Sequence, residues 1–498
     1  MSMKTSENEK RAGSPAAKPT AEAAPGSTER PLRVAVIGSG PAGVYAADIL
    51  TKSEEVRNGL QVSIDLFDRY PAPYGLIRYG VAPDHPRIKG IVNALHKVLD
   101  RGDIRFFGNV NVGTDITLAE LKTYYDAVIF ATGAVNDADL NIPGIELEGS
   151  FGGADFVSWY DGHPDVPREW PLEAKEIAVI GNGNVALDVA RMLSKHADDL
   201  LVTEIPDNVY RGLKSSPVTD VHIFGRRGPA QVKFTPLELR ELSHSKDVDI
   251  VLYPEDFVFD AASDEAIRTN NQVRTMVNTL TNWLVEQDDD VTPARTPASR
   301  RLHLHFLHSP VEITGTDGKV SGIKFELTEL DGTGRARGTG EMVHYPVQAV
   351  YRSVGYFGSA PGDVEFDHQR GVVLNDGGRV LAADGTPVPG IYATGWIKRG
   401  PVGLIGHTKG DALETVTYLL QDLAQLPAAA NPDPDAVVGL LASRGIHYTG
   451  WEGWLELDSH ERVLGAAASA HGGVQRERVK VVSRTDMLTA ARGANARV

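Results

Sequence analysis

The chain has 498 residues, 42% of them hydrophobic, a formal net charge of -16 and no cysteine, so it is long enough for two or three domains with full cores. Lack of cysteine excludes a disulfide, a thiolate-held zinc or iron–sulfur cluster and a redox cysteine pair, leaving any redox chemistry to a bound organic cofactor. The acidic balance argues against a generic nucleic-acid binder, no apolar run approaches the ~18 residues of a membrane span, and the first residues show no secretory apolar core, which makes the cytoplasm the expected compartment.

Residues 1–30 are rich in Ala, Pro, Ser, Thr, Glu and Lys and poor in large apolar side chains, so a disordered tail is expected. Leu32 to Ile37 then reads as a buried parallel strand. It runs into Gly38, Gly40 and Gly43, a G-x-G-x-x-G turn before a helical pattern over Val44 to Leu50. Such a turn cradles a pyrophosphate on backbone N–H groups at a helix N-terminus. A second strand, Val62 to Phe67, ends in Asp68, where a ribose-binding carboxylate belongs.

Arg69 to Gly90 is too rich in proline and glycine for a long helix and reads as a shaped loop, of the length that usually wraps a ligand. An amphipathic helix is expected over Ile88 to Leu99, strand material over Ile104 to Val112, and a buried strand over Tyr125 to Gly133.

A second nucleotide turn follows the strand Ile177 to Gly181. It has the G-x-G-x-x-A form, with Gly181, Gly183 and Ala186 before a helix over Val185 to Ser194. Two such units imply two dinucleotides. The next strand, Val221 to Phe224, ends in Gly225, Arg226, Arg227 and Gly228 instead of an acid. Arginines at that point favour a ribose 2′-phosphate, so the second nucleotide is expected to be NADP. Thr235 is a helix N-cap with Pro236 at N1 and Glu238 in the first turn.

An acidic, proline-bearing surface loop is expected before Arg301. His303 and His305 share one strand face and read as exposed; with no third ligand in sight, no metal is expected. The last block, Gly390 to Leu420, is a strand entering Thr394, Gly395 and Trp396, a glycine-rich turn and a helix from about Thr408, whose N-terminus suits an anion. Trp451 and Trp454 read as packing residues.

Four stretches, Pro73 to Pro86, Gly181 to Arg191, Gly225 to Pro229 and Ala393 to Gly406, resemble the adrenodoxin reductase type of ferredoxin:NADP reductase, and the likeness spans roughly residues 31–460. The resemblance implies an α/β fold with two Rossmann-like dinucleotide-binding domains, an NADP domain inserted into an FAD domain. Boundaries are expected at 31–137 (FAD, first part), 138–361 (NADP) and 362–498 (FAD, second part, with a C-terminal extension). It further implies that Gly38, Gly40, Ala42, Gly43, Asp68, Leu76 and Val112 line FAD, with Trp396, Gly403, Leu404 and Ile405 at the isoalloxazine. Asn182, Gly183, Asn184, Val185, Arg226, Arg227 and Glu238 would line NADPH. One departure is Asp68, where relatives usually carry Glu.

On this resemblance the activity is hydride transfer from NADPH to flavin N5 and then single-electron transfer to a ferredoxin. His85 and Glu238 are expected near the redox centre as positioning groups, and Lys398, Arg399 and Arg240 as a positive rim for an acidic partner. Disulfide reductase and glutamate synthase activities need cysteines that are absent. A flavin monooxygenase and a non-catalytic dinucleotide-binding scaffold stay open.

Overall fold

The computed structural model describes residues 24–27, 29–287, 297–401, 405–472 and 474–493. Two parallel-strand sheets organise it. The outer lobe is built on β1 (Leu32–Ile37), β2 (Val62–Asp68), β3 (Ile104–Gly108) and β4 (Ala127–Phe130). The chain then leaves through β5 (Asn136–Asp137) to form an inserted lobe from β6 (Ser150–Gly152), β7 (Glu176–Ile180), β8 (Asp220–Phe224), β9 (Val248–Leu252) and β10 (Arg300–His305). A meander of β11 (His308–Thr316), β12 (Lys319–Leu330) and β13 (Ala336–Tyr345) follows, then β14 (Ala349–Arg352) and the return strand β15 (Tyr356–Phe357). A small ribbon, β16 (Phe366–Asp367) and β17 (Val372–Val373), precedes β18 (Asn375–Asp376), β19 (Arg379–Leu381) and β20 (Pro387–Ala393), which complete the outer lobe.

The seven-stranded sheet has the order β18-β19-β20-β4-β1-β2-β3 and the six-stranded one β6-β14-β7-β8-β10-β9. In each, the first strand of a nucleotide unit sits inside the sheet, buried on both faces: all six residues of β1 are buried. That is why these strands read as continuous apolar runs instead of alternating ones. The expected α/β class with an inserted second Rossmann-like lobe is the observed architecture. The two crossings between lobes pair with each other, Tyr356 opposite Asp137 and Phe357 opposite Asn136.

Local chemistry sets the element ends. Helix Pro41–Thr51 starts with proline in its first turn, and Thr117 caps Leu118–Tyr124 in a full capping box with Glu120. The pattern over 88–99 is not one helix. It breaks at Gly90 into Pro86–Lys89 and Val92–Leu99.

The expected tail boundary is also too late, because Arg30 is fully buried and its guanidinium holds Asp126 at 2.6 Å. Residues 1–23 and the centre of the acidic loop, 288–296, lie outside the described residues.

A C-terminal strap ties the lobes together. Arg476 donates to the Ile205 carbonyl at 2.5 Å, and Lys480 meets Glu204 at 2.8 Å and the Arg78 carbonyl at 2.5 Å. Trp454 is buried in the outer-lobe core, as a packing residue should be.

Candidate functional site

The first glycine turn shows why its residues are small. A Cβ on Gly43 would sit 1.9 Å from the Gly38 carbonyl oxygen, so only glycine lets the helix start this close to β1. Asp68, at the end of β2, is buried and braces the turn: its carboxylate accepts the Ser39 N–H at 2.9 Å, the Ser39 hydroxyl at 2.5 Å and the Tyr70 N–H at 3.0 Å. Burial pushes its titration above the usual carboxylate range, against those three hydrogen bonds, which pull it down.

Above this turn lies a cavity of about 390 Å³. Its wall takes Gly38, Gly40, Ala42 and Asp68 from the first nucleotide unit, Leu76 from the shaped loop, Val112 after β3, and Trp396 after β20. Val185, from the second nucleotide turn, and Tyr356, from the return crossing, stand in the same wall. Gly133 contributes a φ of +74°, and a Cβ there would meet no atom within 4 Å, so the missing side chain leaves room in the cavity. Tyr356 and Trp396 stack at 6.2 Å between centroids. A mostly apolar cavity whose wall carries a buried carboxylate and a pair of stacked aromatic rings fits a flavin dinucleotide. Gly403 and Leu404 lie outside the described residues; Ile405 opens the helix Ile405–Gln421, three residues before the expected start.

The second turn is pinned differently. Asn182 accepts the Lys233 N–H through its carbonyl at 2.9 Å, and the Asn184 side chain accepts the Thr235 N–H at 2.9 Å. Helix Pro236–Leu242 carries the expected Thr235 cap, and Glu238 within it is buried. Arg226 is exposed and Arg227 half-buried, and neither shows an ion pair among the described residues. Burial and the Arg226 charge both pull the Arg227 guanidinium down, the mark of two cations side by side.

Between the lobes His85 Nε2 lies 3.0 Å from Asp188 Oδ1 and 2.9 Å from Arg191 Nη2. Arg191 is itself clamped to Asp84 by two hydrogen bonds of 2.9 Å. Burial lowers the His85 titration, but the Asp188 carboxylate more than offsets it and the imidazole ends above its ordinary value. Glu238 is raised, first by burial and then by the Asp188 charge. Neither His85 nor Glu238 is in the cavity wall; sequence spacing gave no sign of Asp188 and Arg191, which connect them to helix Asn184–Ser194.

Two expectations fail. Lys398 is buried, 5% exposed, and bridges Asp411 at 3.0 Å and Glu414 at 2.7 Å, while Arg399 pairs with the same two carboxylates. Both charges are spent on the helix that follows, so they do not form a free positive rim. Arg399 and Arg240 are both exposed, but Arg399 is paired with the two carboxylates, whereas Arg240 sets its Nε on the Pro236 carbonyl at 3.2 Å.

The second failure is the histidine face. His303 and His305 are buried, and β8 adds a third imidazole, His222, whose donor atoms come within 4.8 Å of theirs. The rings lie nearly parallel, 13° apart for His222 and His303 at 4.2 Å. Imidazole lone pairs lie in the ring plane, so stacked rings aim them side by side and not at one point. His303 moreover spends both nitrogens on Asp220 and Tyr253, at 2.9 and 2.8 Å. Burial lowers all three titrations, His222 to about 3, so this is a packed stack of neutral rings.

Two Rossmann-like lobes contributing to one cavity define a dinucleotide-dependent oxidoreductase. The family described as "Pyridine nucleotide-disulphide oxidoreductase" matches residues 32–220, although this chain has no cysteine. NADPH-ferredoxin reductase FprA of Mycobacterium tuberculosis (strain ATCC 25618 / H37Rv) is 41% identical over 92% of this chain and 99% of its own. The mitochondrial NADPH:adrenodoxin oxidoreductase of Homo sapiens is 37% identical over 92% of each. The structure of M. tuberculosis FprA in complex with NADPH matches with a TM-score of 0.82 at 40% identity, covering 93% of this chain and all of that one. The chain belongs to the adrenodoxin reductase type of NADPH-ferredoxin reductases.

Proposed function

We propose that this chain is an FAD-dependent ferredoxin:NADP reductase that accepts a hydride from NADPH and delivers electrons one at a time to a ferredoxin-type iron–sulfur protein. The observation that supports it best is the shared wall: Val185 of the second nucleotide turn stands in the same cavity as Ala42, Asp68 and Trp396. That arrangement lets a nicotinamide held by one lobe meet a flavin held by the other. Bound FAD supplies the conversion of a two-electron hydride into single electrons.

The rest of the work falls to the chain. The turn from Gly38 to Gly43 receives the FAD pyrophosphate, Asp68 the adenosine ribose, and Leu76, Val112 and Trp396 enclose the ring system. Asn182, Gly183, Asn184 and Val185 receive the NADPH pyrophosphate, and Arg226 and Arg227 its 2′-phosphate. His85 and Glu238, coupled electrostatically through Asp188, flank the cleft and orient the nicotinamide. The outer lobe, 31–137 with 362–498, and the inserted lobe, 138–361, are the two binding units, and the cytoplasm is the proposed compartment.

The test is anaerobic addition of NADPH to the purified yellow protein, then assay of cytochrome c reduction with and without added ferredoxin. Rapid bleaching of the flavin and a rate that depends on ferredoxin support the assignment. A flavin that NADPH does not bleach points to a scaffold, and fast reoxidation by oxygen with no response to ferredoxin points to a monooxygenase.

A further inference from the structure

The meander β11–β13 contributes nothing to the cavity wall, yet it is bolted to the turn that carries Arg226 and Arg227. The carbonyls of three successive residues of that turn are engaged. Gly225 accepts the His308 N–H at 3.0 Å, Arg226 accepts the Thr328 hydroxyl at 2.9 Å, and Arg227 accepts the Leu307 N–H at 3.3 Å. Leu307 holds this position with a φ of 58°, a region that non-glycine residues rarely adopt, so backbone strain is tolerated at this point. Its own carbonyl accepts the Thr328 N–H at 2.8 Å, which closes a ring through the turn, the β10–β11 corner and β12.

Thr328 reaches the turn because the register between β12 and β13 shifts between Glu326 and Thr328, and such a shift re-aims a side chain. The hydroxyl is buried and is the one side chain among the three contacts; the other two are backbone N–H groups that any residue would supply. A backbone held at three consecutive carbonyls has little freedom to let its guanidinium groups drift, and recognition of a phosphate by arginine depends on that geometry.

We infer that Thr328 is a positioning residue for coenzyme selection: by fixing the Arg226 carbonyl it holds the arginine pair where a ribose 2′-phosphate lies. The inference rests on the proposal that Arg226 and Arg227 receive that phosphate. It assigns the meander a role, as the abutment of the NADPH-selecting turn.

The test compares the holoprotein with Thr328→Val, Thr328→Ser and the double variant Arg226→Ala with Arg227→Ala, measuring kcat and KM for NADPH and for NADH with one common acceptor. Loss of one buried hydrogen bond corresponds to about threefold to tenfold. Thr328→Val is expected to raise the KM for NADPH by that factor with little change in kcat, and so to lower the NADPH-over-NADH preference equally. Thr328→Ser, which keeps the donor, should restore most of it. Thr328→Ala, a second variant without the donor, should repeat the Val result even if Val folds poorly. Equal effects on the two coenzymes, or no effect in either donor-free variant while the double arginine variant loses its preference, overturn the inference alone. A double arginine variant that keeps its preference overturns the underlying phosphate assignment instead.

Discussion

Asp256 offers a sharp test of how the inserted lobe balances its charges. It is buried, 5% exposed, and among the described residues its carboxylate accepts the Phe306 N–H alone, through Oδ2 at 2.8 Å. Burial raises its titration from 3.8 to about 7, with the neighbouring Glu255 adding to the effect and the Phe306 hydrogen bond opposing it. Below about pH 4 the carboxyl is protonated in both folded and unfolded chains and contributes nothing. As pH rises the unfolded chain ionises first, so the fold binds the extra proton and loses stability until about pH 7, above which the penalty is constant.

At 1.36 kcal/mol for each tenfold change, the full penalty is about 4 kcal/mol above pH 7 and about 1.5 kcal/mol at pH 5. Asp256→Asn keeps an oxygen for Phe306 and removes the charge. Denaturant unfolding of the FAD-saturated protein should therefore show Asn more stable than Asp by an amount that grows from about pH 5 to about pH 7 and then levels. A stabilisation that ignores pH, or none at about pH 8, would refute the assignment of a buried, unpaired carboxylate.

Changing Arg226 and Arg227 together to Ala should lower the preference for NADPH over NADH by about 10² to 10⁴, since each charge-assisted hydrogen bond contributes roughly 1.5 to 3 kcal/mol; steady-state kinetics with both coenzymes measures it. Trp396→Ala should retain FAD but shift the flavin absorbance and slow reduction by NADPH in stopped flow, through loss of the stack with Tyr356. Asp188→Asn removes the carboxylate that holds the His85 titration up, so any step that needs the protonated imidazole should fade at lower pH than in the wild type, visible in the pH profile of flavin reduction. Lys398→Glu would place a third carboxylate against Asp411 and Glu414, so FAD retention and turnover should fall for ferredoxin and for small acceptors alike, whereas a docking residue would affect ferredoxin alone.

What could be read from the sequence was what depends on near neighbours. The glycines of both nucleotide turns, the strand that precedes each and the Thr235 cap all act within a few residues, and each appears where its spacing placed it. Lys398 shows the opposite case. Its partners stand 13 and 16 positions later on a helix that turns back over it, and nothing in the run Trp396 to Arg399 signals that return. The histidine pair misled for a related reason: on a parallel strand buried on both faces, polar residues do not mark the solvent side, and the partner ring of His222 comes from a strand 81 positions upstream of His303. Gly90 interrupts a helix whose apolar spacing continues across it, which periodicity alone does not reveal.

The order in which the strands fall along the chain also bears on how the protein is made. The six-stranded sheet draws only on residues between Ser150 and Arg352, an unbroken stretch, whereas the seven-stranded sheet needs β20 to pair with β4 across more than 250 intervening residues. During synthesis the inserted lobe can finish its sheet while the outer lobe is still two separate halves, one emerged and one unmade. The flavin groove, with walls from both halves, then exists only after Trp396 has left the ribosome, so cofactor capture comes late, and the already folded inserted lobe serves as the spacer that brings β4 and β20 together.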